Sequence, residues 1–452
     1  MLLFFRLHTS PAGTMEPKSL IQIISEEEFL KIVQEPCELF FMVGNDFAKI
    51  VAGNDNVSRK IYSRLMQESE YLESVLDEHG ARENKAWSFF SEYIACIRNL
   101  AIVAFYIKHI LDRYPYYKLK EPKEIDEEFH LAANHLLEFI NKSILNLKEE
   151  VVRTGKINGL KCDVDKGSDD EFFKIESNKR LPKNILDDEV KEDRERVIDL
   201  CRKYRKIAKL IQEVKIEKSK DIKTFRTLIP SKLDEKIARM YKEHIHSVQS
   251  EYDTYVKNTS LEKEHKELSN FRGYVSMPLH LLEVILWLCH FYERHEDDIR
   301  HGECKQNISR MVNKDELLSH IVNFGFNFSQ HFLREGDKIA TAILKSFVGN
   351  VRAEVTIPQP LGFHARPSTY ISLIARQYEG DLHMLIDGDK YNAKSVMSLL
   401  QAGGALADKG YKTVEFEGSK QAIEDVKVLS QHNYCEEGEF PHKLSYLRPD
   451  GA

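Results

Sequence analysis

The spacing of apolar residues changes once along this chain, and that change decides what it can fold into. Up to about residue 345 the period is helical almost throughout, and strand signals are nearly absent. Ser25-Glu-Glu-Glu28 reads as a capping box before Phe29, Ile32 and Val33. Val57, Ile61, Leu65 and Leu72 mark a second helix, and residues 87–111 a long third one that ends at 112–117. Phe129, Leu136, Ile140 and Leu147 share one face of a helix over 128–152. Glycines and acidic residues dilute the pattern over 153–190. It resumes near Glu192 and continues to about Leu344, with breaks expected at Pro230 and Pro278. Beyond 350 the period becomes two: Val351, Ala353, Val355 and Ile357 alternate onto one face. The expected organisation is a disordered arm or misplaced start at 1–14, a helical domain at 15–152 and an exposed connection at 153–190. A second helical domain at 191–345, an α+β domain at 351–432 and a polar tail at 433–452 follow.

Composition narrows the class. A chain of 452 residues with 42% hydrophobic and 30% charged residues is a folded protein rather than a disordered one. Its net charge of −7, with acidic residues spread along the chain, gives no basis for nucleic-acid binding. Seven scattered cysteines without a CxxC pair fit a reducing cytoplasm. The opening Met1-Leu-Leu-Phe-Phe-Arg6 is too short for a signal peptide, and Met15 reads as the better start. Two apolar stretches, 93–111 and 277–290, are interrupted by Arg98 and Lys108 and by Glu283. Neither offers roughly 20 uninterrupted apolar residues, so both are expected as buried helices and the protein is not expected to be integral to a membrane.

Chemistry concentrates at Gly362-Phe-His-Ala-Arg-Pro367. Pro358-Gln-Pro-Leu-Gly362 breaks the strand before it, and Ile371, Ile374, Ala375 and Tyr378 at helical spacing follow it. His364 therefore falls at a strand-to-helix junction, beside unpaired N–H groups and the positive end of a helix dipole, with Arg366 two residues on. A histidine with a neutral fraction is nucleophilic without a strong base, and a guanidinium can hold two oxygens of an anion at once. That pair suits temporary attachment of a phosphoryl group. Downstream, Leu382, Met384 and Ile386 alternate as a strand and Asp387-Gly388-Asp389 signals a hairpin turn. Val396, Leu399 and Leu400 lie on a short helix and residues 413–417 on a strand. Ser419 caps a helix carrying Ala422, Ile423, Val426 and Leu429. The order β-α-β-β-α-β-α gives helices on one face of a small antiparallel sheet.

On these residues, and on Asn392-Ala-Lys-Ser-Val-Met397 at the expected separation, residues 351–432 resemble the histidine-containing phosphocarrier protein (HPr) of the bacterial sugar phosphotransferase system. The resemblance implies an open-faced sandwich of four antiparallel strands with three helices on one face. It also implies phosphorylation of His364 through Nδ1, with Arg366 neutralising the phosphoryl oxygens. Ser395 stands where many members accept a regulatory phosphate from an ATP-dependent HPr kinase/phosphorylase, and equally reads as an unmodified N-cap. Pro367, Val396, Met397 and Leu400 form the implied docking surface for an Enzyme I-like donor and for sugar-specific or regulatory acceptors. Two departures stand out: residues 400–410 read as a longer helix-to-strand connection than usual, and Leu373 and Ser398 replace lysines that some members use for docking.

The helical region carries no phosphate-binding glycine loop. His290, His295, Glu296, Asp297, Asp298, His301 and Cys304 meet no common metal-ligand spacing, and Glu127-Glu-Phe-His130 lacks a second copy. No cofactor or metal is expected, and residues 78–85 are expected to be a solvated turn. Two function classes stay open: a phosphoryl carrier rather than a free-standing enzyme, or a regulatory protein whose HPr-like domain is the input and whose helical part binds an effector or partner.

Overall fold

The computed structural model describes residues 22–53, 56–164, 194–214, 216, 218–296, 302–347, 349–378, 380–436 and 441–447. The arm at 1–14, most of the connection at 153–190, the stretch 297–301 and residues 437–440 and 448–452 of the tail lie outside these residues. Two compact units emerge, residues 1–101 with 141–175, and residues 102–140 with 176–452.

In the first unit α1 (Glu26–Ala52) starts where the sequence places it, the Ser25 hydroxyl accepting from the Glu28 N–H at 3.2 Å. It packs against α2 (Arg59–Glu78), and α3 (Ser88–Arg113) and α4 (Lys123–Ile157) each contribute residues to both units. Trp87 meets Phe29 and Phe90 edge-on at 4.9 and 5.5 Å, and the Tyr62 hydroxyl donates to Asn141 Oδ1 at 2.7 Å. The turn at 78–85 is exposed at residues 78–80 and 83–85, as the sequence reading expects, while Ala81 is buried and Arg82 half-buried. Arg82 reaches Glu73 at 2.5 Å and Asp77 at 2.6 Å, and Arg98 reaches the same Glu73 at 2.9 Å. Burial pushes the Glu73 carboxyl above its usual range, and the two guanidinium groups oppose that shift.

The helical part of the second unit centres on α5 (Arg194–Gln212), α7 (Glu235–Tyr255), α9 (Lys266–Glu296) and α12 (Asn327–Phe347). Between them lie the shorter α6 (Ile222–Leu228), α8 (Ser260–Glu264), α10 (Gly302–Met311) and α11 (Lys314–Ser319). Pro230 does fall between helices, but α9 runs straight through Pro278, against expectation. Proline cannot donate to the carbonyl four residues back, which is Tyr274. The buried Tyr204 hydroxyl of α5 donates to that carbonyl instead, at 3.2 Å. Residues 320–326, between α11 and α12, form a π-helical turn. Two helices, Ser88–Tyr116 and Lys266–Arg294, are long and apolar enough to cross a membrane by length and composition, more than the sequence reading allowed. Of their apolar windows 67% and 78% is buried inside the protein. Glu127 pairs with Lys123, while His130 packs on Tyr114 and Phe129, a structural use of both residues.

The C-terminal part of this unit is the α+β fold. Its strands β1 (Asn350–Thr356), β2 (His383–Ile386), β3 (Asp389–Asn392) and β4 (Thr413–Ser419) form one antiparallel sheet in the order β1-β4-β2-β3. Ala353 pairs with Phe416, and Met384 pairs with both Phe416 and Tyr391. Asp387 and Gly388 close the β2–β3 hairpin, both with positive φ. Ala353, Val355, Met384, Ile386, Val414 and Phe416 share one core with α13 (Ala365–Gln377), α14 (Val396–Lys409) and α15 (Lys420–Gln431). The opposite face carries Arg352 and Lys390 paired to Glu417 at 2.7 and 2.6 Å. Val351, expected inside, is exposed at the strand's start.

Two expectations here are corrected. Residues 400–409 are not a long connection but the rest of α14, which ends on Gly410 in the left-handed conformation. The segment taken as a polar tail is partly core. Tyr434, Cys435, Leu444 and Leu447 are buried, and the Tyr446 hydroxyl and Lys443 ammonium reach the buried Asp425 at 2.7 and 2.9 Å.

Candidate functional site

The backbone delivers His364 to the start of α13 by a chain of local constraints. Gly362 has φ +66, the left-handed region that favours glycine, and its N–H donates to the Pro358 carbonyl. Phe363 is buried against Phe416 and Tyr434, with ring centroids 6.3 and 5.3 Å away. Gly403 of α14 comes so close that a β-carbon there would lie 2.5 Å from the Phe363 carbonyl oxygen. With Phe363 held from both sides, His364 becomes the N-cap residue, and its carbonyl accepts the first helical bond from Ser368 at 3.2 Å.

The imidazole is half-buried, with 32% of its side chain exposed, and its two nitrogens face different partners. Nδ1 accepts from the Arg366 backbone N–H at 3.4 Å. Nε2 lies 3.1 Å from Glu436 Oε1. The Arg366 guanidinium is 55% exposed and turns to the same residue, 3.7 Å from Glu436 Oε2 and 3.4 Å from its carbonyl oxygen. It therefore does not rest on Nδ1, although it is anchored two residues on, in the first turn of the same helix. Burial raises the neighbouring Tyr370 hydroxyl, and Arg366 opposes that.

The remaining predicted residues separate into two groups. Ser395 is the N-cap of α14, its hydroxyl accepting from the Ser398 N–H at 3.3 Å. Met397 is 67% exposed, while Val396 and Leu400 are half-buried. Pro367 is buried in the first turn of α13, so it shapes the helix start and is not on the docking surface as expected. α13 and α14 are tied together by Ser372 Oγ and Arg376, both donating to the Lys394 carbonyl, at 2.9 and 3.2 Å.

Sequence reasoning missed Glu436 and the segment that carries it. Asn433 clasps Gln359 in both directions, accepting from its N–H at 2.9 Å and donating to its carbonyl at 2.8 Å. The Tyr434 hydroxyl donates to the Thr356 carbonyl at 2.8 Å. No local signal marks this contact, since 72 residues separate Glu436 from His364 and the acidic run around it reads as a solvated tail. Among the described residues no group of three or more histidine, cysteine or carboxylate side chains is placed to hold a metal ion, and His290 is engaged with Glu235 at 2.8 Å.

An open-faced sheet carrying a helix that starts on a half-exposed histidine defines the class: a small α+β phosphocarrier domain. Residues 351–430 match the family model described as PTS HPr component phosphorylation site, so this C-terminal segment is an HPr domain, and a phosphocarrier role in the phosphotransferase system comes with it. The match covers under a fifth of the chain. The helical region ahead of it matches no family model, and no solved structure matches the chain.

Proposed function

We propose that this chain accepts a phosphoryl group on His364 Nδ1 from an Enzyme I-like donor and passes it to a sugar-specific or regulatory acceptor in the cytoplasm. One observation carries the reading: Nδ1 sits at a helix N-terminus facing a backbone N–H, within an HPr domain. Its lone pair attacks phosphorus, and the incoming oxygens meet the Arg366 backbone N–H, which Nδ1 gives up as it bonds phosphorus. Arg366 then turns from Glu436 to the phosphoryl group. Met397 and its half-buried neighbours supply an apolar rim for docking, and Ser395 is the proposed site of kinase regulation.

Incubation with phosphoenolpyruvate and the general donor enzyme should place one acid-labile, base-stable phosphate on the chain. His364→Ala should abolish it without unfolding the domain, and label that persists in this variant overturns the assignment.

A second reading, a regulator that uses the phosphohistidine as an input, draws support from the helical region. There a cavity of about 420 Å³ is lined by His135, Lys218, Lys220, His320 and Asn323 over Phe324 and Phe328, a size suited to a small ligand. A phosphohistidine that no acceptor can discharge would favour this reading over the carrier.

A further inference from the structure

We propose that Glu436, which lies beyond the segment matched to the family, is a positioning residue for His364: it fixes which ring nitrogen is the nucleophile and balances the charge that forms on the ring. The proposal rests on the carrier reading above.

A carboxylate can only accept, so the nitrogen facing Glu436 must donate. The nearest ring nitrogen is Nε2, at 3.1 Å, and Glu436 Oε1 is a buried acceptor with no aligned hydrogen bond, so a small turn of the imidazole that brings Nε2–H onto it satisfies it. Nδ1 meanwhile faces an N–H donor and must accept. A single neutral tautomer satisfies both contacts, with the proton on Nε2 and the lone pair on Nδ1. The other tautomer sets a lone pair against a carboxylate and an N–H against an N–H.

The segment is built to hold this carboxylate in place. Asn433, Tyr434 and Cys435 are three consecutive residues with positive φ (47, 56 and 57), a conformation that side chains other than glycine's rarely adopt. The Asn433–Gln359 clasp and the buried Tyr434 ring keep them there. With only 12% of its side chain exposed, Glu436 is held where its charge is poorly screened.

The charge bookkeeping follows the transfer step. The Nδ1 lone pair forms the new P–N bond to a donor phosphohistidine's phosphorus, while the old P–N bond breaks and its electron pair returns to the donor nitrogen. No proton leaves His364. The ring becomes a phosphorylated imidazolium that keeps Nε2–H, now matched by Glu436. Before transfer Glu436 is balanced by Arg366, and afterwards Arg366 is released to the phosphoryl oxygens. The same pairing keeps the product in the cationic form, whose P–N bond is the readier to transfer.

The test uses the full chain and its Glu436→Gln and Glu436→Asp variants. Ring ¹⁵N shifts of His364 in the unphosphorylated protein should report Nε2–H in the parent and a tautomer mixture in Glu436→Gln, with partial return in Glu436→Asp. Phosphoryl uptake should fall roughly tenfold in Glu436→Gln. Unchanged ring signals overturn the proposal, whether or not the rate falls, because a slower rate alone could reflect a disturbed loop. An equal uptake rate in Glu436→Gln also overturns it. If the parent takes no phosphate on His364, the carrier reading fails by itself, and the ring signals still decide the tautomer claim.

Discussion

At the scale of single residues, two kinds of side chain answer to different measurements. Ser395 caps α14, so Ser395→Ala should lower the domain's stability by about 1 kcal/mol, whereas Ser395→Asp should preserve the cap. A negative charge at a helix N-terminus is itself favourable, so any effect of Ser395→Asp belongs to docking beside Met397 and Leu400. Uptake at His364 should slow in Ser395→Asp and not in Ser395→Ala, opposite to the order of their melting temperatures. Equal uptake in both variants leaves Ser395 as a cap alone. In the helical region, burial, with His109 adding, lowers His280 to about 3; burial, with His135 adding, lowers His320 to about 4. Below an ordinary value of about 6.5 the unfolded chain takes up protons that the folded chain does not. The stability these groups contribute is thus complete above about pH 6.5 and falls toward about pH 4, by up to roughly 1.4 kcal/mol per pH unit for each histidine. Thermal melts over this window should show the decline, and His320→Gln should flatten it. A level profile in the parent protein would mean that both rings reach water.

Among elements, the packing of α5, α9 and α12 turns on Tyr204. A β-carbon at Gly336 of α12 would lie 2.1 Å from the Tyr204 hydroxyl, and that hydroxyl serves the Tyr274 carbonyl left unpaired by Pro278. Gly336→Ala must push the ring or the helix aside, at a cost of about 1–3 kcal/mol. Tyr204→Phe removes the clashing oxygen but leaves a buried carbonyl unsatisfied, costing about 1–3 kcal/mol. Combined, the two changes should cost less than their sum, because the clash and the bond share one atom. Strict additivity in a double-mutant cycle of urea melts would show that α12 and Tyr204 are not coupled.

For the whole molecule, the HPr domain extends past the segment that the family model matches. Ending the full chain after residue 440 removes the buried Leu444 and Leu447 and takes Lys443 and Tyr446 from Asp425. The lost apolar burial alone is worth roughly 3–5 kcal/mol as an upper value. Amide exchange in β2 and β4 should accelerate while exchange in α5 and α9 stays unchanged; unaltered protection in the sheet would show that the extension is dispensable.

Local patterns in the sequence already carried most of the C-terminal domain. Alternation at 353–357 and 382–386, the Asp387-Gly388 turn and the caps at Ser395 and Ser419 all act between near neighbours, where spacing dictates geometry. The placement of His364 and Arg366 at a helix start was legible for the same reason, since helix initiation at an N-cap is a local event. Tertiary structure alone decided the rest, because partners distant in the chain leave no periodic trace. Where α9 continues through Pro278, the Tyr274 carbonyl that the proline leaves unpaired is met by Tyr204 of α5, 70 residues from Tyr274 in the chain. The inward turn of Arg82 depends on carboxylates of other helices. Glu436 reads as one more acidic residue in a charged tail until the buried Tyr434 and the Asn433 clasp set it against Nε2 of His364.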